Sequence, residues 1–375
     1  LHYYISAADC NGNWNQTTTY DVAITDNDAP DVTISHPNGG ETITGTENIQ
    51  WQATDNVDQS LEIMIEYSPD NGATWTTIVS NTDNDALYEW DTSGLNCSEF
   101  LIRVTATDDY GNTGDDTSDA TFTIDNDYPT VSVTSPNGGE LIHDTTTITW
   151  TASDLHDSSL SIKIEYSPDS GSTWCTIVDD TTNDGVYEWD TSGLNCSEFL
   201  IRVTATDDVD HATSDTSDAT FVIDNDYPTI NVIYPNGGEI IRDTTTIEWT
   251  ATDNHDPTLN IKIEYYDGST WHEIIELINT STTFYNWNTN GLNCSSFLVR
   301  VTATDDVGHT ASDQSNSTFT IDNDYPTIPT VIQPNGNEII SGIYEIKWDI
   351  PTDNHDTDLD IKIEYTTNNG STWNL

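Results

Sequence analysis

Cationic side chains are nearly missing: the 375 residues carry 8 Lys plus Arg against 65 Asp plus Glu, a formal net charge of -57 with a pI near 4.1. Such a polyanion repels nucleic acid and anionic bilayers, and attracts divalent cations or a screening, high-salt medium. Long apolar runs are missing too, so no stretch approaches the roughly 20 residues of a membrane-spanning helix, and no signal peptide or initiating Met opens the sequence. Cysteine is scarce. Cys97, Cys196 and Cys294 occupy one repeated position, which excludes a bridge between repeated partners and suggests buried thiols, while Cys175 and Cys196 fall in one repeat and leave that bridge open. Cys10, like Cys175, has no equivalents. No nonrepeated set of nucleophile, base and electrophile stands out, and Lys163, Lys262, Lys347 and Lys362 read as outward cross-strand neighbours of glutamates such as Glu165, Glu264 and Glu364. An enzyme is not expected.

What the chain has is repetition. Ile-Asp-Asn-Asp-Tyr-Pro occurs at 124–129, 223–228 and 321–326, with a looser copy at 25–30, and each copy precedes a Pro-Asn-Gly turn at Asn38, Asn137, Asn236 or Asn335. These asparagines recur every 99 residues. That period exceeds the roughly 20–50 residues of solenoid repeats and suits a small independently folding domain. The expected division is residues 1–28 (the C-terminal part of a repeat), 29–127, 128–226, 227–324, and 325–375 (the N-terminal part of a repeat).

Period-two alternation defines the strands of the second repeat. Val32–Ser35 opens it, Asn38-Gly39-Gly40 turns the chain, and Ile49, Trp51 and Ala53 face inward, as do Leu61, Ile63, Ile65 and Tyr67. Asp70-Asn71-Gly72 closes a hairpin whose second arm carries Trp75 and Ile78; Leu87–Trp90 follows, then Phe100, Ile102, Val104 and Ala106, and last Ala120, Phe122 and Ile124. Seven or so short strands without a helix predict an all-β chain of tandem immunoglobulin-like antiparallel sandwiches, arranged as beads on a string. The 12 Trp, 17 Tyr and 7 Phe, recurring among aliphatics, supply the cores. In the fourth repeat Glu276–Thr283 replaces the acidic loop Asp179–Asp184.

At the ends, Tyr20–Ile24 reads as a last strand, and Leu1 aligns with Phe100, inside a repeat. The fifth repeat stops after its hairpin, leaving four or five strands with an open apolar face. Either the sequence is a segment of something longer, or the tail of one subunit is completed by the head of the next in head-to-tail self-association.

The acidic residues cluster by topology. In an immunoglobulin-like sandwich the incoming linker and the loops after the second strand and before the last lie at one pole. The expected constellations are Asp26 and Asp28 with Asp55, Asp58, Asp108 and Asp109; Asp125 and Asp127 with Asp154, Asp157, Asp207 and Asp208; Asp224 and Asp226 with Asp253, Asp256, Asp305 and Asp306; and Asp322 and Asp324 with Asp353 and Asp356. Converging carboxylates repel unless neutralised, and an oxygen-rich site selects Ca2+. The competing reading is a solvating, mutually repelling surface. His156, His255 and His355, with Asn56 as their counterpart, read as solvated loop residues, which makes zinc there unlooked for.

Sequons at Asn96, Asn195 and Asn293 repeat in register before the long strand, remote from the acidic pole, and others lie at Asn15, Asn279, Asn316 and Asn369; all permit N-linked glycans. Trp75, Trp174, Trp271 and Trp373 follow Gly-x-Thr (Gly-Ser-Thr in three copies, Gly-Ala-Thr in one) and read as core caps, with a sugar platform as the alternative.

Ser135-Pro136-Asn137-Gly138-Gly139-Glu140, Ile148-Thr149-Trp150, and Ile164 to Asp169 with Ser172-Thr173-Trp174 resemble tandem immunoglobulin-like or fibronectin-III-like repeats of prokaryotic, especially archaeal, cell-surface proteins. Asp125-Asn126-Asp127 and Ala106-Thr107-Asp108-Asp109 are similar to the calcium-binding junctions of cadherins, without their glutamates and fuller linker. The resemblance implies an extracellular or cell-surface stalk or filament subunit whose partners are copies of itself or other surface proteins, or alternatively an adhesin or carbohydrate-binding array attached to a larger protein.

Overall fold

A computed structural model describes residues 2–22 and 25–375. Leu1, and the Ala23 and Ile24 of the expected strand at Tyr20–Ile24, lie outside the described residues. Among the described residues no helix is long and apolar enough to cross a membrane, and every named element is a strand. The chain forms two compact units: Leu1–Glu140 with Thr147–Trp189 and Glu198–Phe221, and Leu141–Thr146 with Asp190–Ser197 and Val222–Leu375.

The first unit begins with β1 (His2–Tyr3), β2 (Ser6–Ala8), β3 (Trp14–Gln16) and β4 (Tyr20–Asp21). β1 pairs with β4 and β2 with β3, and all four are exposed.

The second repeat follows as β5 (Asp31–His36), β6 (Thr42–Ile43), β7 (Thr46–Thr54), β8 (Glu62–Ser68), β9 (Thr76–Thr82), β10 (Leu87–Asp91), β11 (Cys97–Thr107), β12 (Thr113–Thr117) and β13 (Phe122–Ile124). One sheet has the order β10-β7-β5, and the other β6-β13-β11-β8-β9 with β12 also on β11. The long β11 organises the larger sheet: Ile102, Val104 and Ala106 stand opposite Tyr67, Ile65 and Ile63 of β8, and β13 and β12 share its other edge. Because successive strand residues point to opposite faces, Phe100, Ile102, Val104 and Ala106 turn together into the core, where they meet Ile49, Trp51 and Ala53. The complete repeats are antiparallel sandwiches with one short parallel pair each: β13 with β6 here, Leu141 and Ile142 with Val222 and Ile223 in the third, and Ile240 and Ile241 with Thr320 and Ile321 in the fourth.

Two strands go unread in the sequence pattern. β6 has two residues, and β12, Thr-Gly-Asp-Asp-Thr, has no apolar alternation. Conversely, Ala120 is exposed and precedes the last strand instead of joining it. Its role is to accept the turn at Asn38-Gly39-Gly40: a Cβ on Gly39, at φ +125°, would stand 2.6 Å from the Ala120 Cβ. Gly39→Ala therefore combines a collision with a backbone conformation closed to L-residues. We expect a loss of about 1–3 kcal/mol in urea unfolding, against a near-neutral outcome if the turn can move aside.

The third repeat places strands at the same offsets, including Thr130–Ser135, Ser161–Ser167 and Ala212–Thr216. In the fourth, Thr229–Tyr234, Thr244–Thr252 and Phe284–Asn288 form one sheet, and Leu259–Tyr266, Trp271–Thr280 and Cys294–Thr304 build the other with shorter strands. The segment Glu276–Thr283, read as a loop, is strand as far as Thr280.

Residues 325–375 correct an expectation. Four or five strands were anticipated; the described elements are Val331–Gln333 paired with Lys347–Trp348, and a single bridge between Tyr365 and Asn374. Ile361 and Ile363 correspond to Ile63 and Ile65, yet are 44% and 43% exposed where those two are fully buried. In the second repeat β11 lies across Ile63 and Ile65, and without such a neighbour the period-two pattern has nothing to pack against.

Candidate metal centres at the repeat junctions

The linkers at 125–127, 224–226 and 322–324 are fastened to the repeats they leave. Asp125 N–H donates to Ile43 O (3.0 Å), and Asn126 Nδ2 donates to Thr92 O (3.0 Å) and Leu95 O (2.9 Å) while its Oδ1 accepts Gly45 N–H (2.8 Å). Asn323 repeats this with Thr289 O, Leu292 O and Asp243 N–H. The middle residue of Asp-Asn-Asp is thus a staple, a role the sequence reading missed although Asn27, Asn126, Asn225 and Asn323 recur at that place in every copy. Stapling fixes the flanking aspartates. Asp125 Oδ1 accepts Asp127 N–H (3.0 Å), while its Oδ2 is buried with no hydrogen-bond partner.

The loop after the second strand has one construction in every repeat. Asp154 Oδ1 accepts the N–H groups of His156 (2.8 Å) and Asp157 (3.1 Å), and Asp55 and Asp253 accept the corresponding pairs in their own loops. The other oxygen of each, Asp55 Oδ2, Asp154 Oδ2 or Asp253 Oδ2, is buried and unpartnered, as is Asp26 Oδ2 of the first linker. Asp353 builds the same turn with His355 and Asp356.

The loop before the last strands divides the predicted residues into two kinds. Asp108, Asp207 and Asp305 are spent on their own turns: Asp207 Oδ1 accepts N–H from Val209 and His211, and Oδ2 meets His211 Nδ1 at 3.1 Å. Asp109, Asp208 and Asp306 contribute backbone, their N–H groups donating to Asp58, Asp157 and Asp256 at 3.0, 3.0 and 2.8 Å. Asp28, Asp226 and Asp324 accept side-chain amides from Asn56, Asn254 and Asn354. In the third repeat Leu155 replaces that asparagine.

The groups brought within 4.8 Å of one another are therefore smaller than the constellations read from sequence: Asp26, Asp55 and Asp58; Asp125, Asp127 and His156; Asp224, Asp226 and His255; Asp322, Asp353 and His355. Three of these contain the histidines, which corrects the solvated-loop reading. His156 is only 9% exposed, its Nδ1 lying 3.6 Å from Asp125 and 3.5 Å from Asp127, and His255 Nδ1 is 3.3 Å from Asp224. The counterpart of His156 is Val57, not Asn56, so the first junction alone lacks an imidazole.

Crowding shows in the electrostatics. Burial, with the charges of Asp154 and Asp207, holds the Asp125 carboxyl above the usual carboxylate range, and Asp224 is raised by burial with Asp253 and Asp305. Burial and like charges also raise Asp208 and Asp256. Buried carboxylate oxygens lacking any donor, in company that disfavours ionisation, fit a hard divalent cation; the set can also neutralise itself by protonation.

Several other expectations resolve here. Three of the four tryptophans are neither core caps nor open platforms: Arg103 lies 4.3 Å over the Trp75 ring, Arg202 4.1 Å over Trp174 and Arg300 4.2 Å over Trp271, whereas Trp373 is 60% exposed. Each Arg also pairs with a cross-strand glutamate, as Arg103 Nη2 does with Glu66 at 2.5 Å. Lys163 sits two residues from Glu165 on the same strand, not across from it, and Lys262 relates to Glu264 likewise. All five cysteines are thiols, so Cys175 and Cys196 form no bridge; Cys97 is half-buried, donating to Pro69 O at 3.3 Å. The sequon residues lie beside the outgoing linker: Asn96 Oδ1 accepts Asn126 N–H, and Asn195 Nδ2 donates to Asp226 Oδ1 at 2.8 Å. Asn96 and Asn195 thus border the next junction.

No family model and no curated protein matches the sequence. Similar solved structures include a calcium-stabilised adhesin that helps an Antarctic bacterium reach out and bind ice (20% identity, 85% of this chain and 81% of that one, TM-score 0.39). Others are the I67–I69 fragment of the titin I-band (11%, 80% and 100%, TM-score 0.41) and the chicken CNTN1 FN1–FN3 domains (15%, 77% and 99%, TM-score 0.29). The fold itself rests on the strand pairing: an all-β chain of small antiparallel sandwich repeats in tandem.

Proposed function

We propose that this chain is a non-catalytic structural subunit of an extracellular filament or rigid cell-surface stalk, built from repeats 29–127, 128–226 and 227–324 with part-repeats 1–28 and 325–375, and stiffened by Ca2+ at the repeat junctions. The observation that carries this reading is the buried carboxylate oxygen without a donor, recurring at Asp26, Asp55, Asp125, Asp154 and Asp253. A buried, unpaired polar atom is costly, and one cation per junction satisfies several at once. Asp26, Asp125, Asp224 and Asp322 supply the linker ligands, and Asp55, Asp58, Asp154, Asp253 and Asp353 the loop ligands. A cation tied to linker and loop together removes the freedom of the joint.

Head-to-tail association is proposed from the exposed apolar side chains of 325–375, among them Ile361 and Ile363, for which part-repeat 1–28 supplies candidate strands. N-linked glycans at Asn96, Asn195 and Asn293 would flank the junctions. A sugar-binding array has less support, because an Arg covers one face of Trp75, Trp174 and Trp271.

Electron microscopy before and after calcium chelation tests the proposal. Filaments with a regular axial repeat that soften or disperse in chelator are expected. Isolated particles indifferent to calcium would overturn both the assembly and the stiffening.

A further inference from the structure

We propose a second kind of metal centre, one that pairs two imidazoles: His143, Asp144 and His309 form a three-ligand site for a borderline transition-metal ion of the Zn2+ class, distinct in chemistry from the carboxylate-dominated junction clusters.

The site arises where the second loop of the fourth repeat meets the end of the short turn of the third. One ligand atom from each of His143, Asp144 and His309 lies within 4.8 Å of the others, and the two imidazoles meet edge to face with centroids 5.7 Å apart. His309 is prepared for coordination. Its Nδ1 lies 3.1 Å from Oδ2 of Asp305, a fully buried carboxylate, and Tyr227 stacks on its ring at 4.5 Å. A carboxylate on Nδ1 fixes the tautomer and ring orientation and leaves Nε2 as the metal-binding nitrogen. His143 and Asp144 are adjacent, with side chains 44% and 74% exposed and Nδ1 and Oδ2 3.0 Å apart. Ligands on a tetrahedral Zn2+ at about 2.0–2.1 Å sit roughly 3.4 Å from each other, so a small rotation of these two mobile side chains closes the set.

The preceding junction supplies a natural control. There His211 has the same Asp207 contact on Nδ1 and the same stacking tyrosine, Tyr128, at 4.6 Å, but faces Thr44, whose hydroxyl lies 3.1 Å from His211 Nε2. Thr44 and Gly45 occupy the places of His143 and Asp144. A hydroxyl satisfies one imidazole; a second imidazole and a carboxylate ask for a cation. Two nitrogens and one oxygen, with a position left for water, favour Zn2+, Ni2+ or Cu2+ over Ca2+.

The test is titration of the full chain with Zn2+, and with Co2+ for its ligand-field spectrum, in excess Ca2+ to saturate the oxygen sites. One tight equivalent with a Co2+ spectrum of low-symmetry, nitrogen-containing coordination is expected. His143→Thr, which installs the side chain of the control junction, and Asp144→Asn, which keeps the left-handed backbone of that residue, should each weaken binding by about tenfold or more while the metal-free melt stays unchanged. Unaltered Zn2+ affinity in both variants, or loss of the tight equivalent in His255→Ala but not in His143→Thr, would overturn the assignment.

Discussion

Calcium added to the chelated chain should raise its melting temperature by about 10–20 °C at a hundredfold excess over Kd, because each occupied site would then contribute about 2.7 kcal/mol to a domain of some 100 residues. Differential scanning calorimetry reads this directly. Asp125→Asn should act in opposite directions in the two states. In chelator it raises stability, since Asp125 is buried beside Asp154 and Asp207 and its carboxyl is held above the ordinary range for those reasons. In calcium it removes a ligand and much of the second junction's response. A mutation that merely damaged packing would lower both melts.

Acid supplies an independent check on the same groups. Asp125, Asp208, Asp224 and Asp256 all bind protons more tightly in the folded chain than at the ordinary value of 3.8. Where the folded state holds more protons, stability falls as pH rises. The calcium-free chain should therefore gain stability as pH is lowered from neutral through those raised values, and calcium should flatten that limb by doing the work of the proton. Glu41 and Glu239 behave oppositely: burial opposes their ionisation, but the N–H groups of Asn38 and Gly39, or of Asn236 and Gly237, prevail and hold them below 4.5. Their contribution disappears as pH falls through the lowered values. The calcium-free profile thus has a maximum on the acid side of neutrality; a monotonic decline from neutral pH would contradict the junction chemistry.

Alternation made the core legible. Each buried position of Phe100 to Ala106 follows from a period of two, and the repetition of acidic loops, with one topological rule, pointed to a shared pole. What remained hidden was short, polar or dependent on partners. β6 is held by two residues against β13, and β12 by its place beside β11, neither of which leaves an apolar signature. The role of Asn126 went unread because hydrogen bonds to Thr92, Leu95 and Gly45 depend on folding, not on pattern. His156 looked solvated because a polar loop usually is; the buried Asp125 beside it comes from a different repeat. Counting aspartates also overstated the sites, since a carboxylate that caps its own turn, as Asp207 does, is indistinguishable in sequence from one whose oxygen is left over.

Phe100→Ala should have the largest effect of any single substitution on one repeat and almost none on the rest. Phe100 is 1% exposed and touches three rings, with centroids 6.0 Å from Phe122, 5.8 Å from Tyr67 and 6.4 Å from Trp90, so truncation opens a cavity where both sheets meet. The loss is about 3–5 kcal/mol, a large part of the roughly 5–15 kcal/mol that holds a domain together. If residues 29–127 fold as a unit, calorimetry in chelator resolves one component moved to low temperature, and Phe199→Ala moves a different one. A single transition displaced as a whole would mean that the repeats are not separate folding units. On the proposed function calcium should sharpen the distinction, because a cation held by Asp125 and Asp154 would join the linker of one repeat to the loop of the next. The Phe100→Ala component should then rise toward its neighbour in calcium, and Asp125→Asn in the same chain should uncouple them again, which separates cation-mediated coupling from stability intrinsic to each sandwich.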